Sequence, residues 1–185
     1  MVSREITARK EREDSLMFLA YHDSLTQLPN RRYLQNEFPL FVDRANAKFE
    51  SFAVLYVDGD RFKQVNDLYG HDTGDLFLIQ FAKALLRSVR KNDLVVRLGG
   101  DEFLVLISNL SREEQELKAA IDTVKMNINE QLSQGWRIGE QYFRPTASIG
   151  VSIYPKHGFT IDELVDYADR SLYEKKNKAR FRENV

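Results

Sequence analysis

The sequence predicts a mixed α/β (α+β) domain in which helices sandwich a sheet, and three observations carry that prediction. Apolar residues recur at helical spacing in four separate stretches. The run "SFAVLYVD" is continuously apolar until its final acid. "DLVVRLGGDEFLVLIS" holds two apolar runs joined through a pair of glycines. A chain of 185 residues, 43% of them apolar and including 12 Phe and 8 Tyr, suffices for a single core of ordinary size.

The elements follow in chain order. The first twenty residues, "MVSREITARKEREDSLMFLA", are densely charged with sparse apolar positions such as Ile6, Leu16 and Leu19. They predict an exposed helix over 1–20, a connector ahead of a main domain at 21–185. Pro29 then breaks the chain, and Asn30 is a good N-cap for a helix starting near Arg31. Leu34, Phe38, Phe41, Val42 and Ala45 stripe that helix, and Pro39 inside it predicts a kink or a restart. "SFAVLYVD" predicts a central strand buried on both faces. A helix is expected from about Asp75 to Arg90, with Leu76, Ile79, Ala82, Leu86 and Val89 on its buried stripe. The glycine pair makes the next segment a β-hairpin. Leu117, Ile121, Val124, Ile128 and Leu132 mark another helix. "RPTASIGVSIYP" is a strand, and Ile161, Leu164, Val165, Ala168 and Leu172 stripe the last helix.

Composition narrows the function classes. A net charge of −1 gives no global attraction to nucleic acid or to an anionic membrane. The absence of cysteine excludes disulfides and thiolate metal sites. No apolar run approaches the ~18 residues of a membrane span, and no signal peptide is visible. A soluble, cytoplasmic domain is therefore expected, whether or not a parent protein is anchored in a membrane.

The chemistry concentrates in two acidic turns. The buried strand runs directly into "DGDRFKQVNDLYGHDTGD", and α/β sheets commonly place ligands at the carboxyl ends of strands. A calcium loop fails there, because Phe62 occupies its fifth position and Lys63 its sixth, where glycine is required. In the hairpin, Asp101 and Glu102 stand beside Gly99 and Gly100, although a plain turn has no need of paired acids. If the two turns neighbour each other in one sheet, Asp58 and Asp101 can share a hard divalent cation, Mg²⁺ or Mn²⁺, with substrate phosphates. Gly59 would admit such an ion close to its carbonyl. The competing reading is that Asp58 and Asp60 merely end a strand in an acidic turn. Lys63 and the amides of Arg61 and Phe62 suit phosphate oxygens, while Asn66 and Asp75 suit the edge of a base, a carboxylate accepting from guanine N–H groups. Asn66 could equally form a turn, and Asp75 could be a first-turn carboxylate favoured by the helix dipole. His71 is expected to fix the loop by a hydrogen bond, since no second histidine accompanies it as a metal ligand.

"RLGGDEF" after "VDGDRFKQVNDLYGHDTGD", with "HDSLTQLPNRR" upstream and "ASIGVSIYP" and "ADRSLYEKKNKAR" downstream, resembles the GGDEF family of diguanylate cyclases over about residues 20 to 181. The resemblance implies a central, mostly antiparallel five-stranded sheet surrounded by helices, similar to the palm of polymerases and to nucleotidyl cyclases, with the hairpin carrying the active-site turn. It implies that a homodimer joins two GTP into cyclic di-GMP and releases pyrophosphate, each subunit presenting one GTP. Asp58, the Gly59 carbonyl and Asp101 would hold Mg²⁺ (or Mn²⁺). Asp101 and Glu102 would be the catalytic pair, Glu102 coordinating further or helping to deprotonate the attacking 3′-hydroxyl. Asn66 and Asp75 would recognise guanine. Lys63, the amides of Arg61 and Phe62, Lys176 and Arg180 would grip the β- and γ-phosphates, and Gly99 and Gly100 would let the α-phosphate approach. "RKND" places Arg90 and Asp93 at the family's inhibitory site for cyclic di-GMP, although the tetrapeptide alone is a solvated helix end. The chain departs from the family at Ala179 (frequently Gly), Phe181 (frequently Asn) and Gly59 (usually aliphatic). "REITARKEREDSL" resembles the helix that joins a PAS-type sensor to such a domain, so an upstream sensor that this chain lacks is expected. The alternative within the same resemblance is a non-catalytic module that binds GTP or cyclic di-GMP.

Overall fold

The computed structural model describes residues 15–183, with the side chains of residue 175 and of 178–183 outside the described set. The first fourteen residues of the expected connector therefore lie outside it, and residues 15–21 are helical. Eleven further elements follow: α1 (Arg31–Lys48), β1 (Ser51–Gly59), α2 (Phe62–Tyr69), α3 (His71–Ser88), β2 (Leu94–Gly99), β3 (Glu102–Leu110), α4 (Glu114–Ser133), β4 (Trp136–Ile138), β5 (Gln141–Phe143), β6 (Ala147–Tyr154) and α5 (Ile161–Glu183).

The main sheet is antiparallel throughout, in the order β2-β3-β1-β6. It has four strands, one fewer than expected. The three-residue strands β4 and β5 pair only with each other, as a separate ribbon closed at Gly139. β1 lies between β3 and β6 and is buried on both faces as its unbroken apolar run requires. Ala53, Leu55 and Val57 point into a core shared with α3 and α4, while Phe52, Val54 and Tyr56 point into a second core under α1 and α5.

Most helices obey the spacing of their apolar residues. α1 begins at Asn30, whose side chain accepts from the Tyr33 amide at 3.0 Å. It runs on through Pro39 without a restart, and that residue is exposed. α4 and α5 bury the stripes expected of them, Leu117, Ile121, Ile128 and Leu132 in one and Leu164, Ala168 and Leu172 in the other.

α2 and α3 depart from expectation. "FKQVNDLY" is a helix of its own, too short to show a period, ended by Gly70 at φ +83°. α3 starts at His71, so Asp75 stands in the second turn, not the first, and His71 is an exposed first residue, not a fastener of a loop. The buried stripe of α3 is Phe77, Leu78, Phe81, Ala82, Ala84 and Leu85, so of the expected stripe Ala82 is buried, whereas Leu76 and Leu86 are 49% and 50% exposed. Apolar residues surround most of this helix, and packing between the sheet and α4 selects the aromatic side.

Gly150 on β6 sets how closely α5 lies on the sheet. A Cβ there would overlap the Ala168 carbonyl oxygen and stand 2.8 Å from the Leu172 amide nitrogen. Lys176 lies one turn beyond Leu172, so the same contact sets its height over the sheet. Gly150→Ala is expected to destabilise the fold by about 1–3 kcal/mol through overpacking against helix backbone. A lowered denaturant midpoint at unchanged slope would register that loss, and an unchanged midpoint would contradict the close approach.

Candidate active site

The end of β1 and the tip of the hairpin meet. Asp58 stands opposite Glu102 of β3 and, on its other side, opposite Ser148 of β6. One residue on, the Gly59 amide donates to the Asp101 carbonyl at 3.3 Å, and the Asp101 Cβ stands 3.8 Å from where a Cβ on Gly59 would be. The hairpin turns through Gly99 at φ +153° and Gly100 at φ +50°, conformations that favour glycine, and nothing lies within 4 Å of where a side chain would begin on either. Backbone at the tip is thus open to a close-lying ligand.

The charges are unbalanced. Burial pushes the Asp101 carboxyl above the usual aspartate range; Asp58 and Glu102 add to the rise, against its own amide and Lys176, which lower it. Lys176 reaches down from α5 to Asp58 at 2.7 Å, both side chains partly buried. Tyr56, two residues before Asp58 on the same strand face, is pushed up by burial and by its hydrogen bond and proximity to Glu102. Three carboxylates and one ammonium therefore share a corner, with Asp169 adding a further acid near Tyr56.

A second ion pair, which the sequence reading did not assign, fastens the turn from behind. Arg97 is 9% exposed. Its Nε and Nη2 donate to the Gly100 carbonyl at 3.1 and 2.9 Å, and its Nη1 donates to Asp23 at 2.7 Å. Asp23 also accepts from the Thr26 amide and hydroxyl, at 2.8 and 2.6 Å. Burial pushes the Asp23 carboxyl up, but these hydrogen bonds and the guanidinium outweigh it and hold the group below its ordinary range. Both residues sit inside motifs quoted above, "HDSLTQLPNRR" and "RLGGDEF". Their separation of 74 positions, however, gave no sign that they pair.

The remaining expected residues fall into two places. Arg61, Phe62 and Lys63 open α2 beside the end of β1, with Arg61 in the left-handed region at φ +61°. Asn66 lies on α2 against Gly74 of α3, where a Cβ would overlap its Oδ1, and Asp75 is the next residue of α3. Arg180 is on α5, its side chain outside the described residues. Arg90 and Asp93 stand apart, at the opposite end of the six-residue strand β2, about 20 Å from the tip. There the Asp93 carboxylate accepts from the Arg90 amide at 2.9 Å and the Ser108 amide at 3.1 Å, and Asp93 lines a cavity of about 470 Å³ together with Arg44, Lys48 and Lys91.

The sequence and the fold both have counterparts among known proteins. The model of the diguanylate cyclase GGDEF domain matches residues 20–182. The chain belongs to the GGDEF family. It is 41% identical over 173 residues to the bifunctional diguanylate cyclase/cyclic di-GMP phosphodiesterase MucR of Pseudomonas aeruginosa, covering 94% of this chain and 24% of that protein. The diguanylate cyclase TpbB of the same organism is 38% identical over 167 residues, 90% of this chain and 37% of that protein. The chain thus spans roughly a quarter to somewhat over a third of these curated relatives. A solved structure of an N-terminally truncated TpbB from Pseudomonas aeruginosa, comprising only its GGDEF domain, superposes with a TM-score of 0.78 at 36% identity, covering 85% of this chain and 89% of that one. The antiparallel sheet flanked by helices is the architecture of this family.

The Arg97–Asp23 pair has a sign-definite pH signature. Because the folded-state pKa of Asp23 lies below its unfolded value, the pair stabilises the protein fully above the ordinary aspartate range, and its contribution is lost as pH falls through the depressed value. Asp23→Asn should therefore lower stability near neutral pH, by about 1–3 kcal/mol for a largely buried, hydrogen-bonded charge pair. The gap to the wild type should narrow as pH falls toward 3. Urea midpoints across that range would check it; a gap independent of pH would count against the ion pair.

Proposed function

We propose that this chain condenses two GTP molecules into cyclic di-GMP and releases pyrophosphate, in a homodimer that depends on Mg²⁺ or Mn²⁺. The observation that carries the reading is the meeting of Asp58, Asp101 and Glu102, which leaves Asp101 with a raised proton affinity beside a single compensating ammonium. Such a corner suits a hard cation. Among the described residues no group of three His, Cys, Asp or Glu is arranged to enclose a metal by itself. Two carboxylates and the Gly59 carbonyl supply part of an oxygen shell and leave the rest to phosphates and water, the usual arrangement for Mg²⁺ in nucleotide chemistry. When bound, the ion would neutralise triphosphate charge and favour ionisation of the attacking hydroxyl.

The chain's own residues divide the work as follows. Asn66 and Asp75 read the guanine edge. Lys63, Lys176, Arg180 and the amides of Arg61 and Phe62 hold the β- and γ-phosphates, and the open backbone of Gly99 and Gly100 admits the α-phosphate. The 3′-oxygen of one GTP bonds to the α-phosphorus of the other as the bond from that phosphorus to the bridging oxygen breaks. Pyrophosphate departs with that electron pair, and the hydroxyl proton passes to the Asp101–Glu102 pair. A second such step closes the ring. One chain presents one GTP, so both steps need two subunits facing antiparallel.

Arg90 and Asp93, at the far end of the hairpin, take the product as a feedback inhibitor in this reading. The charged segment 1–20 acts as the connector from a PAS-type sensor to the catalytic domain at 21–185. Among the described residues no helix is long and apolar enough to cross a membrane, and we place the site in the cytoplasm, where GTP is available.

Two outcomes are expected. Asp101→Asn and Glu102→Ala should each lower cyclic di-GMP synthesis from GTP by about 10²-fold or more. Asp101→Asn should at the same time raise the melting temperature slightly, because it removes a carboxylate that the fold holds against burial and like charge. Chromatography of the products and a melting curve check both, and normal synthesis by either variant would refute the assignment. The initial specific rate should also rise with enzyme concentration at fixed GTP until the dimer saturates. A flat dependence in a range where the protein is monomeric would rule out the two-subunit reaction.

A further inference from the structure

Asp60 is the acid of the "DGD" turn to which the proposed chemistry gives no part. It stands two residues after Asp58, where a second metal carboxylate would be sought. Its surroundings assign it otherwise. Its Oδ2 accepts from the Thr146 hydroxyl at 2.6 Å and its Oδ1 accepts from the Ser148 hydroxyl at 2.7 Å. Its amide donates to the Thr146 carbonyl at 3.0 Å. Both carboxylate oxygens and the backbone are thus tied to the start of β6, on the side of β1 away from the hairpin strand β3.

The next two residues show what this fastening does. Arg61 occupies the left-handed region at φ +61° and ψ +22°, which a side chain other than glycine adopts only when its surroundings enforce it. Phe62 is buried at 9% and packs on Phe77, their ring centres 5.7 Å apart. The turn is therefore pinned at one end by Asp60 and at the other by Phe62. The amides of Arg61 and Phe62 lie between the pins. Asp60, Arg61, Thr146, Ser148 and Lys176 also line one cavity of about 990 Å³, so the fastening forms a wall of the space beside the phosphate-gripping lysine.

We propose that Asp60, held by Thr146 and Ser148, is a positioning residue that presents the amides of Arg61 and Phe62 to the triphosphate, and that it is not a metal ligand. This rests on the cyclase reading above and gives the two hydroxyls of "PTAS" a part in substrate binding that the family resemblance did not supply.

The test compares Thr146→Val/Ser148→Ala, Thr146→Ser, Asp60→Asn and Asp58→Asn in the wild-type background, by GTP kinetics and by titration with Mg²⁺ at saturating GTP. Loss of both hydroxyls should raise KM for GTP about tenfold while kcat changes far less, whereas Thr146→Ser, which keeps the hydroxyl, should leave KM within about twofold of the wild type. Asp60→Asn, which still offers one oxygen to one hydroxyl and an N–H to the other, should keep the Mg²⁺ midpoint, and Asp58→Asn should shift it. Ser148→Ala alone, with a smaller rise in KM, serves if the double variant melts early. An unchanged KM in both hydroxyl variants would overturn the proposal. So would an Mg²⁺ midpoint shifted by Asp60→Asn as far as by Asp58→Asn. Wild-type protein that neither makes cyclic di-GMP nor melts higher with GTP and Mg²⁺ would instead remove the cyclase reading and this inference with it.

Discussion

β1 is hydrogen-bonded to β3 on one side and to β6 on the other, and this double pairing decides where the acids of the two turns stand. A strand buried on both faces has no freedom to slip, because a shift of one residue would turn Val54 and Tyr56 out of one core and Leu55 and Val57 out of the other. Its register therefore holds Asp58 opposite Glu102 and Ser148. The two acidic turns meet as a consequence of apolar packing several residues away, not through attraction between themselves.

Left to themselves, the acids would separate. Asp101 is burdened by burial, Asp58 and Glu102, and the compensation comes from outside the strands. Lys176 descends from α5, whose distance from the sheet is set by the bare backbone of Gly150. Arg97 holds the Gly100 carbonyl from behind and is itself neutralised by Asp23, which belongs to the loop before α1. Asp60 secures the other bank of the site to β6. Elements distant in the chain thus each contribute one polar anchor to a corner that would not stand on local structure alone. A divalent cation would supply charge of the sign that this corner leaves unbalanced, and would leave coordination positions for phosphate oxygens.

Legibility in the sequence followed physical scale. Elements whose signal is a simple period were readable: the doubly buried β1, the hairpin around Gly99 and Gly100, and the stripes of α1, α4 and α5. α3 carries apolar residues around most of its circumference, so periodicity put Leu76 and Leu86 on the inner face, whereas the sheet and α4 select Phe77 and Phe81. α2 was missed because eight residues contain little more than two turns, and β4 and β5 because three residues apiece carry no alternation.

By itself the sequence determined the class of fold, the strand that runs into Asp58, the glycine turn that carries Asp101 and Glu102, and the motif order that resembles one family. These are properties of neighbouring residues, or of patterns a few turns long, and local sterics and burial suffice to produce them. Tertiary structure alone decided that Arg97 pairs with Asp23, that Lys176 rests on Asp58, that Asn66 lies against Gly74, and that Asp60 is bound to Thr146 and Ser148 instead of standing free toward a metal. Each of those contacts joins segments set together by the packing of the two cores, and only the folded chain brings such side chains within hydrogen-bond reach.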